Sequence, residues 1–297
     1  MPLNLIEQPK EVTYLDIADW LEIQFLNSGA FLTAEIARTH MDQFPFAAVY
    51  QDNPENIDNA IGHMKKRVKS LGSDYPFEVE AGTLFCNQLV DRHMPYALLL
   101  AISQLDIRRS SNQLNTVAKL FEDACEALLS KPVDGGDNYS VLNFGWPSAT
   151  GRPKQFSDAI SWAAQKLNLP VGQGYKPAKM KDGGVDLIRW RTFRDGTTHQ
   201  HCLFQCTVGP DFLEKSRQID IERWRSWIQF HAEPSRAVSM PYQAKRRSPE
   251  YRATEELGGI VYDRLRLVEE AAPTTPKATD LARATLKSIG VLEDPEF

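Results

Sequence analysis

Two apolar runs separated by a short polar turn stand out in the pattern of hydrophobic and polar positions. The first run, Val185 to Trp190, contains Asp186, and the second, Leu203 to Thr207, carries Gln205 at its centre. The turn Arg194-Asp195-Gly196-Thr197 includes the Asp-Gly pair that favours β-hairpins. A polar residue inside an apolar strand needs a partner or a function. The pattern therefore predicts two adjacent strands that bring Asp186 and Gln205 together.

Helical periodicity is strongest at residues 112–129, where apolar residues recur at i, i+3, i+4 and i+7. Pro132 and Gly135-Gly136 predict where this helix ends. Other segments with helical patterns are 14–26, 33–41, 54–71, 96–105, 156–167, a helix beginning at Pro210, 221–232 and 279–289. Further strand patterns occupy 75–79, 83–86, 238–242 and 260–267. Residues 138–151 are interrupted by Gly and Pro, with Trp146 and Pro147 at their centre.

This order predicts an α/β fold with a mixed central sheet flanked by helices, preceded by a mostly helical N-terminal domain. The expected domains are residues 1–110 with a short hairpin, residues 111–272 as the α/β core with an extension, and residues 273–297 as a linker and C-terminal helix. The length of 297 residues allows one large domain or two modest ones.

Charge is distributed unevenly along the chain, although its net value of −5 does not favour nucleic-acid binding overall. Residues 1–110 hold 9 Lys and Arg against 15 Asp and Glu, whereas residues 111–297 hold 25 against 24. The basic residues of the second part are clustered, which is compatible with phosphate contacts or with solvated faces. The candidate nucleic-acid contacts are Lys179, Lys181, Arg189, Arg191, Lys245, Arg246 and Arg247.

Compartment and cysteine use are also constrained by the sequence. No apolar run reaches the roughly 18 residues needed to cross a membrane, and the N-terminus lacks a signal-peptide pattern. The four cysteines form no Cys-x-x-Cys pair, so we expect free thiols in a reducing cytoplasm. A zinc site that uses Cys202 and Cys206 with His199 and His201 is disfavoured, because an extended strand spreads these residues apart.

The second half resembles the PD-(D/E)XK restriction-endonuclease-like superfamily, especially its Mrr-like branch and the nucleases of bacterial antiviral systems. The resemblance is carried by Phe121-Glu122 on the long helix, Gly184-Val185-Asp186, and Gln205-Cys206-Thr207 on the next strand. It covers roughly residues 111–230. The stretches Tyr75 to Val79 and Gly259 to Arg266 also resemble a group of uncharacterised bacterial proteins.

The resemblance implies a site for Mg²⁺ or Mn²⁺, because hard cations prefer oxygen ligands. Asp186 would be the central ligand, Glu122 a second ligand, and the backbone carbonyl of Cys206 a third. Gln205 would orient water or ligate weakly. Lys215 would position the water or stabilise negative charge, since Thr207 stands where the superfamily usually has lysine.

Structural roles are the alternatives for each of these residues. Asp186 could simply close the Gly-Gly turn, Glu122 could be a solvated helix residue, and Gln205 could face water on an edge strand. Lys215 could be an ordinary helix lysine, and three tryptophans could be core residues and not base-stacking platforms: Trp190, Trp224 and Trp227.

The expected function is metal-dependent DNA cleavage in bacterial defence against phage or plasmid DNA. The alternative is a catalytically impaired subunit with a nuclease-like fold that binds DNA or a partner protein. A protein partner would use the N-terminal domain, an oligomer is compatible with the sequence, and no membrane association is expected. A small-molecule sensor is disfavoured because the chain has no Gly-rich phosphate loop.

Overall fold

The computed structural model describes most of the chain, and the fold is given for these residues alone. They are residues 3–8, 10–11, 13–44, 54–106, 111–131, 138–146, 151–246, 248–257, 259–271 and 273–292. Within these ranges the chain forms eleven α-helices, a three-stranded antiparallel sheet and a five-stranded mixed sheet. The predicted α/β class is confirmed.

The helices are numbered in chain order. They are α1 Tyr14–Phe25, α2 Ala34–Met41, α3 Pro54–Leu71, α4 Met94–Ser103, α5 Ser111–Leu129, α6 Phe156–Lys166, α7 Phe212–Arg217, α8 Ile221–Trp227, α9 Pro249–Glu256, α10 Arg264–Ala271 and α11 Pro276–Ser288. The strands are β1 Phe31–Leu32, β2 Phe77–Glu80, β3 Thr83–Cys86, β4 Tyr139–Asn143, β5 Leu187–Thr192, β6 Thr198–Cys206, β7 Ser235–Ser239 and β8 Gly259–Tyr262. No helix in these ranges has the length and apolarity needed to cross a membrane.

The described residues divide into two compact units. One contains the residues up to Val117 and those after Ala271, and the other is Ala118–Ala271. Helix α5 runs across this boundary, and α11 packs against α4 within the first unit.

The first unit is built on helices and the small sheet, whose order is β1-β3-β2. Its core encloses the guanidinium of Arg67, which contacts Asp19 at 2.7 Å and Glu22 at 2.5 Å. Tyr75 and Tyr96 also donate hydroxyl hydrogen bonds to Glu22. Because an unpaired buried charge is costly, this network fixes the packing of three helices and the start of the sheet.

The second unit is organised around the sheet of order β4-β5-β6-β7-β8. Strands β4, β5 and β6 are antiparallel, whereas β6, β7 and β8 are parallel. Ile188 and its register partner Leu203 pack on one face with helices α6 and α8. On the opposite face, Cys125 of α5 contacts Ser239 of β7 with a sulfur–oxygen distance of 3.5 Å. The sheet is therefore covered by helices on both faces.

Some predicted elements differ from those in the structure. Residues 139–143 form edge strand β4, which the sequence pattern did not predict, and they pair with Leu187 to Arg191 of β5. The predicted strand 260–267 ends at Tyr262, where Asp263 caps α10 by accepting a hydrogen bond from the backbone N–H of Arg266. Helix α8 ends at Trp227, because Ile228 forms a β-bridge with Val171.

Candidate active site in the second unit

A tight glycine turn positions Asp186 just before strand β5. Gly183 and Gly184 both have positive φ, at 64° and 76°. A Cβ on Gly184 would lie 2.4 Å from the carbonyl oxygen of Gln218, so only glycine fits there. The carboxylate that closes the turn belongs to Asp182, which accepts a hydrogen bond from the Gly184 N–H at 2.9 Å. Asp186 is thus left for another role.

The backbone of Asp186 is held on both sides. Its N–H donates to the carbonyl of Phe204 at 2.8 Å, and its carbonyl accepts from Phe144 at 2.7 Å and Gly145 at 2.9 Å. These bonds place the start of β5 between the residues that follow β4 and the end of β6. The position of the Asp186 carboxylate is consequently set by the sheet.

The two carboxylate oxygens of Asp186 have different environments. Oδ2 accepts hydrogen bonds from Nε2 of Gln205 and from the backbone N–H of Cys206, both at 2.7 Å. Oδ1 instead faces Gly145, on the side of Glu122. The predicted proximity of Asp186 and Gln205 is confirmed, and Gln205 lies on the central strand β6 at 7 % exposure. The alternative of a water-facing edge-strand residue is excluded for Gln205.

Glu122 of helix α5 converges with Asp186 on Gly145. A Cβ on Gly145 would lie 2.9 Å from Glu122 Oε2 and 3.4 Å from Asp186 Oδ1. Both oxygens therefore surround a single point, and the absence of a side chain at Gly145 leaves space between them. The Glu122 side chain is 14 % exposed, so it is not a solvated helix residue.

Burial and like charge both raise the pKa of Asp186. The carboxyl is removed from water and lies near Glu122, and together these effects raise its pKa from 3.8 to about 8. The Cys206 N–H and the positive charge of Lys215 oppose the rise, whereas Asp182 adds to it. Such a carboxyl is strongly favoured to bind a proton or another cation near neutral pH.

The pKa of Glu122 is also raised, with burial as the main cause. Lys119, one helical turn earlier on α5, opposes this rise and contacts Glu122 Oε2 at 3.2 Å and Asp123 Oδ1 at 3.1 Å. The charges of Asp123 and Asp182 act in the same direction as burial. Asp182 therefore adds a third carboxylate to the electrostatic environment of the site.

An unpaired acceptor lies beside these carboxylates. Gln205 donates through Nε2 to Asp186, and its buried Oε1 has no hydrogen-bond partner among the described residues. A buried acceptor without a partner costs free energy and indicates a missing water, ion or ligand. The atoms available here to ligate an ion are hard oxygens, which suit Mg²⁺ or Mn²⁺ better than a soft metal.

Thr207 and Lys215 lie close to the site in different ways. The Thr207 hydroxyl is bonded within its own loop, donating to Asp211 Oδ1 at 3.1 Å and accepting from the Gly209 N–H at 3.2 Å. Lys215 is half-buried on α7, and its charge acts on Asp186. The structure thus brings Glu122, Asp186, Gln205 and the charge of Lys215 to one region.

The four cysteines form no disulfide, and three of them are buried while Cys206 is partly exposed. Burial raises the pKa of Cys202 to about 11, and the pKa of the Cys206 thiol is also raised. No group of three or more His, Cys, Asp or Glu side chains in the described ranges is arranged to hold a metal ion. Any ion bound here would thus rest on two carboxylates completed by amide, carbonyl or water oxygens.

The predicted nucleic-acid contacts have unequal access to solvent. Lys179, Lys181 and Lys245 are exposed, and Arg246 is about half-exposed and lies 3.7 Å from Asp263. Arg191 is half-buried with its guanidinium 4.9 Å from the ring centre of Phe193. Arg247 lies outside the described residues.

Arg189 does not lie where the predicted nucleic-acid contact would need it. Its side chain is 7 % exposed, pairs with Glu270 at 2.7 Å, and lies 4.0 Å from the ring centre of Tyr139. Because side chains alternate between the two faces of β5, this arginine points toward helix α10 and edge strand β4. A contact between Arg189 and DNA does not agree with this arrangement.

Three residues of the site were not predicted from the sequence: Lys119, Asp182 and Gly145. The spacing of Lys119 and Glu122 on one helix face was a usable signal. Gly145 had no such signal, since its importance arises from contacts between elements distant in sequence.

Comparison with protein-family models, curated proteins and solved structures gives no match to this chain.

Proposed function

We propose that this chain is a metal-dependent DNA endonuclease with a restriction-endonuclease-like core, acting in the bacterial cytoplasm against phage or plasmid DNA. The observation that carries the proposal is the convergence of Glu122 Oε2 and Asp186 Oδ1 around Gly145. Its support is chemical: two buried carboxylates with raised pKa values are unfavourable neighbours unless a cation or proton lies between them.

Under this proposal, Glu122 and Asp186 hold one Mg²⁺ or Mn²⁺, and the backbone carbonyl of Cys206 completes the protein ligands. When bound, such an ion activates water and offsets the negative charge that develops during phosphodiester hydrolysis. Asp186 offers Oδ1, because Oδ2 is already engaged by Gln205 and Cys206. Gln205 in turn offers Oε1 as an acceptor that can orient a water molecule.

Positive side chains supply the remaining electrostatics. Lys119 neutralises Glu122 in the metal-free protein through its 3.2 Å contact. Lys215, whose charge acts on Asp186, stabilises the additional negative charge of the transition state. Lys179 and Lys181 lie on the loop leading to Asp182 and contact DNA phosphates.

Plasmid cleavage tests this proposal. Supercoiled DNA incubated with the protein and Mg²⁺ should be nicked or linearised, and EDTA should prevent this. Asp186→Ala and Glu122→Gln should each abolish cleavage, whereas Asp158→Asn, which alters an exposed carboxylate on α6, should cut normally. Cleavage by Asp186→Ala at the wild-type rate would show that the site is assigned wrongly.

The second candidate function is a nuclease-like subunit that holds DNA or a protein partner without cutting. It is favoured by Thr207, whose hydroxyl is tied to Gly209 and Asp211 and which supplies no cation to the site. In this version the N-terminal unit is the surface for a protein partner.

Lys215→Ala separates the two functions. If Lys215 acts on the transition state, the variant should cut more slowly in single turnover while its DNA affinity stays nearly unchanged. A lysine that only contacts phosphate should weaken binding and flatten the salt dependence by about one unit. Full single-turnover cleavage by Lys215→Ala would remove this residue from the site.

A further inference from the structure

An exposed tryptophan follows the glycine at which the two carboxylates meet. Trp146 is 36 % exposed, whereas Trp190, Trp224 and Trp227 are buried at 8 %, 0 % and 1 %. The Cα atoms of consecutive residues lie about 3.8 Å apart, so Trp146 begins within one peptide unit of Gly145. The backbone of Trp146 is therefore adjacent to the glycine that both carboxylates face.

A buried arginine fixes this ring from one side. The guanidinium of Arg152 lies 5.4 Å from the ring centre of Trp146 and 4.4 Å from that of Phe144. It donates to the carbonyl of Lys181 at 2.5 Å and to that of Pro153 at 3.3 Å. Arg152 is only 4 % exposed, and its buried Nε has no partner among the described residues. A guanidinium that is removed from water thus holds Trp146 and Phe144 in place through cation–π contacts.

The anchor of Arg152 also connects Trp146 to the basic loop. The carbonyl that accepts from Arg152 belongs to Lys181, whose side chain is exposed, and Lys179 lies two residues earlier. Exposed cations next to an aromatic face are the combination by which proteins bind single strands, with phosphates on the cations and bases on the ring. A base inside a duplex is stacked on both sides and offers no free face to a tryptophan.

We propose that Trp146, held by Arg152, is a stacking platform for an unpaired nucleobase, so that this site binds single-stranded nucleic acid in preference to duplex. The position of the platform next to the cleaved phosphate rests on the proposed nuclease function. Stacking uses the π-face that every base has, so the preference is for strandedness and not for sequence.

Binding of labelled oligonucleotides tests the platform. A fluorescein-labelled 20-nucleotide strand and its duplex are titrated with Asp186→Asn protein, which avoids cleavage during the measurement. Stacking of one base contributes about 1–3 kcal/mol, so Trp146→Ala in this background should bind the single strand about 5- to 150-fold more weakly. Its duplex affinity should stay within about twofold, and Trp146→Phe should recover most of the loss, because a smaller aromatic ring remains.

The hairpin at the far end of β5 offers a matched control. Phe193 is also exposed, at 39 %, and also carries an arginine over its ring, with Arg191 at 4.9 Å. It follows the strand that begins after Asp186, so it lies about 20 Å along the chain from the carboxylates. Phe193→Ala should leave single-strand binding unchanged.

The outcomes separate the platform from the nuclease. Unchanged single-strand affinity in Trp146→Ala, or an equal loss for both ligands, overturns the platform, as does a parent protein that binds no single strand. If Trp146→Ala loses single-strand binding while Asp186→Ala still cuts plasmid, the platform stands and the cleavage assignment falls. If Asp186→Ala abolishes cutting while Trp146→Ala binds normally, only the platform is wrong.

Discussion

At the scale of single residues, the site is defined by the unequal use of two carboxylates. Asp186 directs Oδ2 to Gln205 and Cys206, while Oδ1 faces the space beside Gly145 that it shares with Glu122. Burial destabilises the ionised form of both carboxylates and so raises their pKa values. Such an arrangement lowers the stability of the metal-free protein and prepares it to bind a cation.

Replacing Asp186 should stabilise the metal-free protein at pH 8. Because the folded-state pKa of Asp186 is raised from 3.8 to about 8, the folded protein retains a proton that the unfolded chain releases. Wild-type stability should therefore fall as pH rises from about 4 to 8, and Asp186→Asn should remove this fall. At about 1.4 kcal/mol for each pKa unit, we expect a gain of about 5 kcal/mol at pH 8 in EDTA and almost none at pH 4.

Urea unfolding at several pH values measures this difference. Asp158→Asn is the control, since it removes an exposed carboxylate and should leave the pH dependence as in wild type. A stability difference between Asp186→Asn and wild type that is the same at pH 4 and pH 8 would contradict the raised pKa.

At the scale of secondary-structure elements, segments with a clear hydrophobic period could be predicted from the sequence, whereas the edge strand of the large sheet could not. The stripe of α5 and the β5–β6 hairpin were correctly predicted, because their apolar spacing and the Asp-Gly turn act locally. Strand β4 was missed, since edge pairing with β5 has no local pattern. Helix α9 was missed although Ser248 before Pro249 is a readable start signal, with its hydroxyl accepting from the Tyr251 N–H.

The residues of the candidate site were likewise only partly predictable from the sequence. Glu122, Asp186 and Gln205 could be named because their order along the chain follows a recognisable pattern. Lys119 could have been named from its i, i+3 spacing to Glu122, whereas the roles of Asp182 and Gly145 arise only when α5, the glycine turn and the end of β4 come together. Burial of Arg189 against Glu270 likewise depends on α10, of which the pattern had predicted residues 264–267 as the end of a strand.

Gly145→Ala should change the geometry of the proposed ion site while leaving the stability of the fold nearly unchanged. The new Cβ would lie 2.9 Å from Glu122 Oε2, the end of a flexible side chain, so the carboxylate can move at little cost to the fold. We expect the free energy of unfolding to change by no more than about 1 kcal/mol. Affinity for Mn²⁺ should nevertheless fall about tenfold or more, because ligand positions control metal affinity.

Calorimetric titration with Mn²⁺, together with plasmid cleavage, measures the effect. Gly62→Ala on α3 is the matched control, since an added Cβ there meets nothing within 4 Å among the described residues. Wild-type Mn²⁺ affinity and cleavage in Gly145→Ala would mean that the space beside Gly145 is not the ion's position.

At the scale of the whole molecule, charge separates along the chain. The acidic excess lies in residues 1–110, whereas residues 111–297 are nearly balanced and contain the exposed lysines near the glycine turn. Because phosphate affinity depends on local potential and not on net charge, an acidic protein can still bind DNA through such a region.

Salt dependence tests this assignment. Lys179→Glu/Lys181→Glu should weaken DNA binding and reduce the slope of log affinity against log salt by about 0.9 for each phosphate that the protein no longer neutralises. Lys166→Glu at the end of α6 makes the same charge change at another exposed position and should preserve the slope. Equal slopes for the double variant and wild type would show that these lysines form a solvated face.

Diffraction from Mn²⁺-soaked crystals would show whether Glu122 and Asp186 bind one divalent ion. We expect a single anomalous peak beside Gly145, within about 2.5 Å of a carboxylate oxygen from each residue, and no such peak in Asp186→Asn. Soaked crystals with no anomalous peak at this position, or a peak that contacts neither carboxylate, would contradict it.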